Sequence, residues 1–148
     1  MFLKKLILIF LLIIPCLSAQ TKRLRPEPFY VKASNDTLYR GEILRLEFDG
    51  PHGKEMIVMR SDLQTYFIAG VEDDYYKPRF TREEFANAKV IDLDLSSLKA
   101  YDYSLRREIF VFDKSGLYEF RIADNVETDV AQRSAIVEIY YYNTTRKK

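Results

Sequence analysis

What most constrains this chain is a repeated alternation of apolar and polar side chains. Across residues 42–48, Leu44, Leu46 and Phe48 fall on one side while Arg45 and Glu47 fall on the other. A period of two gives a single apolar face only to an extended strand, because successive side chains there leave opposite faces of the backbone. The pattern returns at 90–95, where Ile91, Leu93 and Leu95 oppose Asp92 and Asp94. It returns again at 118–122, where Tyr118, Phe120 and Ile122 alternate with Glu119 and Arg121. In the last segment Val137, Ile139 and Tyr141 share a face opposite Glu138. Strands of this kind bury one face and wet the other, the habit of antiparallel sheets.

The spacing of turn formers then selects the architecture. The run 29–34 stops at Asn35-Asp36, and Gly41 precedes the next. Asp49-Gly50-Pro51-His52-Gly53 divides 42–48 from 55–60, and 61–64 leads into 65–69. Asp113-Lys114-Ser115-Gly116, between 109–112 and 117–122, reads as a hairpin loop. Roughly eight short strands at this spacing suit a β-sandwich. One stretch departs from the pattern: Thr81-Arg82-Glu83-Glu84 has the spacing of a capping box, followed by Phe85, Ala86 and Ala88. It predicts one or two helical turns between strands.

The chain ends carry different information. Lys4 and Lys5 precede an unbroken apolar run at 6–14, and Leu17-Ser18-Ala19 sets small residues before Gln20. A positive start, an apolar stretch shorter than the roughly 20 residues of a membrane span, and a small-residue cleavage site make residues 1–19 read as a secretory signal peptide. Cleavage after Ala19 is favoured over an uncleaved anchor. It is also favoured over lipid attachment at Cys16, which follows Pro15 rather than a small residue. The expected location is secreted or periplasmic, with no membrane span in the mature chain. Cleavage removes the single cysteine, so the domain would be held by its core without a disulfide. Residues 20–28, basic and proline-containing, read as an extended leader, 29–142 as the sandwich domain and 143–148 as a polar tail.

The segment 113–125 carries the clearest likeness to known folds. Its turn Gly116, then Tyr118, then the alternating core residues from Phe120 resemble the penultimate-strand region of immunoglobulin-like sandwiches. The polycystic-kidney-disease-type modules of bacterial exterior proteins are the nearest in kind. The resemblance implies that Gly116, Tyr118 and Phe120 are structural, and that Tyr118 packs at a corner with its hydroxyl bonded to nearby backbone. Antibody-type domains carry a cysteine where Phe120 stands, and this chain has one Cys, outside the segment, and no Trp. That excludes the antibody-like subclass. The expected fold class is therefore all-β: a single immunoglobulin-like antiparallel β-sandwich of about seven or eight strands with one short helical turn. The whole mature chain resembles small exported single-sandwich proteins of Gram-negative bacteria. Such a fold says little about activity.

Composition excludes several functions. With 23 Lys+Arg against 22 Asp+Glu, the formal charge of +1 gives no basic field for a nucleic-acid backbone. His52 is the only histidine, and in Pro51-His52-Gly53 it reads as an exposed turn residue with no nucleophile turn nearby. A zinc site of His and Cys is ruled out, and the five scattered glycines form no phosphate loop. Glu72, Asp73, Asp74, Asp92, Asp94, Asp124, Asn125, Glu127 and Asp129 lack the spacing of a calcium loop and read as wet loops and a strand's solvent face. A hydrolase built on paired carboxylates such as Asp73 and Asp92 would need them to face each other across a cleft. We therefore expect no catalytic residue, no metal, no cofactor and no enzyme.

Tyrosine is the oddity, with 11 Tyr and no Trp. In the last strand the alternation buries Tyr141 and turns Tyr140 and Tyr142 outward. The stretch Glu72-Asp73-Asp74-Tyr75-Tyr76-Lys77-Pro78-Arg79 has no strand pattern and joins acidic, aromatic and basic groups in one loop. Asp74, Tyr75, Tyr76, Lys77 and Arg79 are the candidate binding residues, since aromatics and arginine on supported loops are the usual anchors. The competing reading is that Tyr75 and Tyr76 cover the open end of the sandwich. These features predict an exported, non-enzymatic module that binds or assembles with a protein of the cell envelope or exterior. Its segment 135–142 is the candidate edge for strand addition. The alternative is a carbohydrate-binding domain that uses surface tyrosines.

Overall fold

In the computed structural model, which describes residues 29–49, 52–72, 75–124 and 134–148, the alternating segments become strands. The expected signal peptide and leader lie outside these residues, as do Asp73, Asp74, Asn125, Glu127 and Asp129. The strands are β1 (Tyr30–Ala33), β2 (Thr37–Tyr39), β3 (Ile43–Asp49), β4 (Glu55–Met59), β5 (Thr65–Ala69), β6 (Val90–Asp94), β7 (Lys99–Asp102), β8 (Arg107–Phe110), β9 (Gly116–Ala123) and β10 (Ser134–Tyr142). One short helix, α1 (Arg82–Asn87), precedes β6, and a 3-10 turn (Leu95–Ser97) follows it. The fold is an all-β sandwich.

A three-stranded sheet in the order β1-β3-β6 faces a five-stranded sheet in the order β2-β10-β9-β4-β5. Leu44, Leu46, Ile91 and Leu93 from the first meet Met56, Val58, Phe120, Ile122, Ile139 and Tyr141 from the second in one buried core. Burying each such side chain contributes about 1.5–3 kcal/mol.

The structure corrects the expected topology in four places. The first run of chain serves both sheets: β1 pairs antiparallel with β3, then Ser34-Asn35-Asp36 carries the backbone across and β2 pairs parallel with β10. The sandwich is thus not wholly antiparallel. Asp36 C=O accepts from the Tyr140 amide at 2.8 Å, and Ser34 N–H donates to the Arg45 carbonyl at 2.8 Å, which fixes the switch at both sides. Secondly, β8 and β9 are not a hairpin. β8 pairs with β7 as a separate two-stranded ribbon, because the buried Val111 and Phe112 turn the chain inward between them. Thirdly, β2 pairs with β10 at Tyr140–Tyr142, so the candidate edge 135–142 is covered over those three residues.

The fourth correction is His52, which is only 6% exposed. Its ring stacks on Phe48 at 4.0 Å between centroids and meets Phe85 edge-on at 5.0 Å. Nδ1 lies 2.9 Å from the Gly53 carbonyl and Nε2 2.7 Å from that of Ala88, so the imidazole joins the β3–β4 connection to the end of α1. A Cβ on Gly53 would run into the main chain of Ala123, so this close approach needs glycine. Turn composition alone does not reveal such packing.

The Tyr118 expectation is met. Its hydroxyl donates to the Lys114 carbonyl at 2.6 Å, and its ring stacks on Phe112 at 4.1 Å. Gly116 opens β9 opposite Tyr141, and Phe120 is fully buried opposite Val58 and Val137.

Candidate functional site

The predicted binding loop spans the connection from β5 to α1, and both of its ends are fixed. At the first end Gly70 N–H donates to the Phe80 carbonyl at 3.1 Å, and Phe80 N–H donates to that of Ile68 at 3.3 Å, which brings Phe80 beside the end of β5. At the second the capping box forms as the sequence predicts. Glu84 N–H donates to Thr81 Oγ1 at 3.1 Å, and Thr81 N–H donates to Glu84 Oε2 at 2.9 Å. Arg82 then ties the helix to the buried Glu55 carboxylate of β4 at 2.7 Å.

Between these anchors the two tyrosines divide their roles. Tyr76 is half-buried and packs against the core, and its hydroxyl donates to the Lys99 carbonyl of β7 at 3.1 Å. Burial pushes that hydroxyl up to about 12, with the Glu108 carboxylate adding to the effect, so it remains a donor at neutral pH. Tyr75 is 77% exposed. Both rings lie 6.4 Å from the ring of Tyr101 at interplanar angles of 22° and 27°, and Tyr103 meets Tyr101 edge-on at 4.9 Å. The covering role expected of both tyrosines thus falls to Tyr76 alone, and Tyr75 faces outward.

Tyr101 and Tyr103 belong to the β7–β8 ribbon, which is hydrogen-bonded to β5 although it lies outside both main sheets. Asp102 Oδ1 accepts from the Leu105 amide at 2.9 Å and closes the ribbon's turn, while Oδ2 accepts from the Tyr66 hydroxyl of β5 at 3.2 Å. The Leu105 N–H, chiefly, and the Tyr66 hydroxyl hold the Asp102 carboxyl below the usual carboxylate range against the opposing effect of desolvation. The turn beyond it presents Tyr103 and Leu105 at 59% and 55% exposure.

A cleft of about 430 Å³ opens between the loop, the ribbon and β6. Tyr76, Lys77 and Arg79 line one side, Asp92 and Asp94 the strand side, and Lys99 and Glu108 the ribbon side. Asp92 is bound by Arg45 through two bonds of 2.9 and 3.0 Å, which hold its carboxyl below the usual range. Asp94 accepts from Ser96 N–H and Oγ–H at 3.1 and 2.6 Å. Lys77, Arg79 and Lys99 form no ion pair among the described residues. The Arg79 guanidinium sits 4.9 Å from the Phe80 ring centroid, and the Lys99 ammonium the same distance from that of Phe110.

Of the five candidates, three line one cleft, Tyr75 stands on the neighbouring surface, and Asp74 lies outside the described residues. Sequence reasoning missed Lys99 and the joining of Tyr101 and Tyr103 to this face. The Tyr101–Tyr103 pair was visible as a tyrosine cluster, but Tyr103 lies in the turn after β7, so strand periodicity does not account for their meeting. Among the described residues no three His, Cys, Asp or Glu side chains group to hold a metal ion, and no helix is long and apolar enough to cross a membrane. Compared with known proteins, the chain matches no protein-family model and no curated protein sequence.

Proposed function

We propose that this is an exported binding module that acts through protein–protein contacts on the face formed by Tyr75, Tyr101, Tyr103 and the adjoining cleft. One observation carries the reading: Tyr75 and Tyr103, 77% and 59% exposed, project from segments whose backs are pinned to the sandwich by Tyr76, Asp102 and the Arg82–Glu55 ion pair. Rigid aromatic side chains lose little entropy on docking and bury a large area. Export rests on the basic start, short apolar run and small-residue site of residues 1–19.

A glycan is the second reading, favoured by the near-parallel rings of Tyr75, Tyr76 and Tyr101, on which a sugar ring could stack. The test is cross-linked affinity capture of the tagged chain from its native envelope, wild type beside Tyr75→Ala/Tyr103→Ala. The expected result is a stoichiometric protein recovered by the wild type and lost by a double variant that still melts cooperatively. Capture unchanged in the double variant overturns the reading, and polysaccharide recovered in place of protein moves the glycan forward.

A further inference from the structure

β6 is an edge of the three-stranded sheet, and the direction of its backbone groups follows from the bonds around it. Arg45 directs its main chain toward β1: its N–H donates to Ser34 Oγ at 3.0 Å and its C=O accepts from Ser34 N–H at 2.8 Å. At the far end of the same ladder Phe48 N–H donates to the Lys89 carbonyl at 2.9 Å. Opposed residues in an antiparallel pair alternate between hydrogen-bonded and non-hydrogen-bonded. Leu46–Ile91 and Leu44–Leu93 are therefore bonded pairs, while Glu47–Val90 and Arg45–Asp92 are not. It follows that N–H and C=O of Val90 and Asp92 point away from β3. Among the described residues no backbone group takes them, and the cleft opens along this edge beside Asp92 and Leu93.

We infer that β6 accepts an extended segment of the partner protein as an added strand, one in which apolar residues alternate with acidic ones. The inference rests on the protein-binding reading above and gives that partner its chemistry. Main-chain bonds to Val90 and Asp92 set the register. Inward side chains of the added strand extend the apolar row of Ile91 and Leu93 toward Leu98. Outward ones enter the side bearing Lys77, Arg79 and Lys99. Because Arg45 already neutralises Asp92, these three cations outnumber the two remaining carboxylates of the lining, Asp94 and Glu108, and an acidic side chain is favoured. A second copy of this chain is disfavoured in two registers, since a two-fold β6–β6 pairing centred on Asp92 or Leu93 sets Asp92 against Asp92 or Asp94 of the other copy, and a pairing centred on Ile91 brings no acidic side chain opposite Asp92 to meet the three cations.

The probes are a seven-residue peptide of alternating Val and Glu, the same peptide N-methylated at alternate residues, and its Val/Lys counterpart. Each is titrated into the purified exported protein while backbone amide resonances and binding heat are followed. The expected outcome is binding of the Val/Glu peptide with shifts at the Val90 and Asp92 amides, weakened roughly tenfold by N-methylation and several-fold in the Lys counterpart. Asp92→Pro removes one outward N–H and no main-chain bond to β3, but it also removes the Arg45 ion pair, so it is compared with Asp92→Ala, relative to which it should weaken binding comparably while the protein still melts cooperatively. No binding, or binding indifferent to N-methylation, overturns the inference whatever the variant does. If Tyr75→Ala/Tyr103→Ala abolishes partner capture while a folded Asp92→Pro leaves it intact, the strand-addition proposal fails and the tyrosine-face reading stands.

Discussion

The same side chain serves opposite ends in two regions of this molecule. At the β9–β10 corner, Tyr118 and Tyr141 are buried with Phe112 in a cluster of rings 4.1 to 6.3 Å apart, and their value is the water they exclude. On the loop and ribbon beside β6, Tyr75 and Tyr103 stand in solvent, and their neighbours Tyr76 and Tyr101 form the platform beneath. Side-chain identity does not decide between these uses. Strand alternation directs Tyr118 and Tyr141 inward, whereas the loop and ribbon are anchored through Tyr76 and Asp102 and expose the rings of Tyr75 and Tyr103. Aromatic surface held open by such anchors is a cost unless something covers it.

The sharpest division between the regions should be in stability. Phe120, fully buried against both β4 and β10, is the centre of the first region. Phe120→Ala should cost about 3–5 kcal/mol by lost burial and cavity formation, whereas Tyr103→Ala should change stability by no more than about 0.5 kcal/mol. Urea unfolding of the two variants measures both. A comparable loss from Tyr103→Ala would mean that the ribbon belongs to the core and would erase the comparison.

Within the buried region the two tyrosine hydroxyls should separate in turn. That of Tyr118 has an acceptor in the Lys114 carbonyl, while that of Tyr141 is buried without a hydrogen bond of good geometry among the described residues, and desolvation raises its pKa with only partial offset from the nearby Arg40 guanidinium. Tyr118→Phe should therefore lose about 1 kcal/mol, and Tyr141→Phe should be neutral or slightly stabilising because it removes an unsatisfied polar atom. Equal losses from the two would show that Tyr141 has found a partner in solution.

How much of this was legible beforehand follows from the range of the interaction involved. Alternation at 42–48, 90–95 and 118–122 revealed the strands because a strand's burial is written in adjacent side chains. The capping box was legible for the same reason: Thr81 and Glu84 are three residues apart and satisfy one another. Pairing between distant segments was not. Nothing near Asp113 says that β8 turns back to β7 rather than on to β9, since Val111 and Phe112 must first be known to dive into the core. His52 misled because its burial is created by Phe48, Phe85 and Ala88, the latter two brought from more than thirty positions away. The site shows the same division. Tyr75, Tyr76, Lys77 and Arg79 were readable as one loop, but Lys99, Tyr101 and Tyr103 joined them only through the ribbon.

The smallest expected effect concerns pH and tests whether the exposed region is held as described. The Leu105 amide, first among the causes, and the Tyr66 hydroxyl lower the Asp102 carboxyl, and Arg45 does the same for Asp92 on the cleft wall. A carboxyl whose folded pKa is depressed contributes stability that is fully present above its unfolded value, near 4, and lost as pH falls through the folded value. These two groups should therefore leave the melting temperature level from neutral pH down to about 4 and lower it on further acidification. Asp102→Asn keeps an oxygen for the Leu105 amide but cannot titrate. Its deficit relative to wild type at neutral pH should shrink toward zero below the carboxylate range, as the wild-type group protonates. Thermal unfolding of both proteins across that range gives the comparison directly. Parallel curves would show that Asp102 does not fasten the ribbon to β5, and that Tyr103 stands on a looser support than the buried corner at Tyr118.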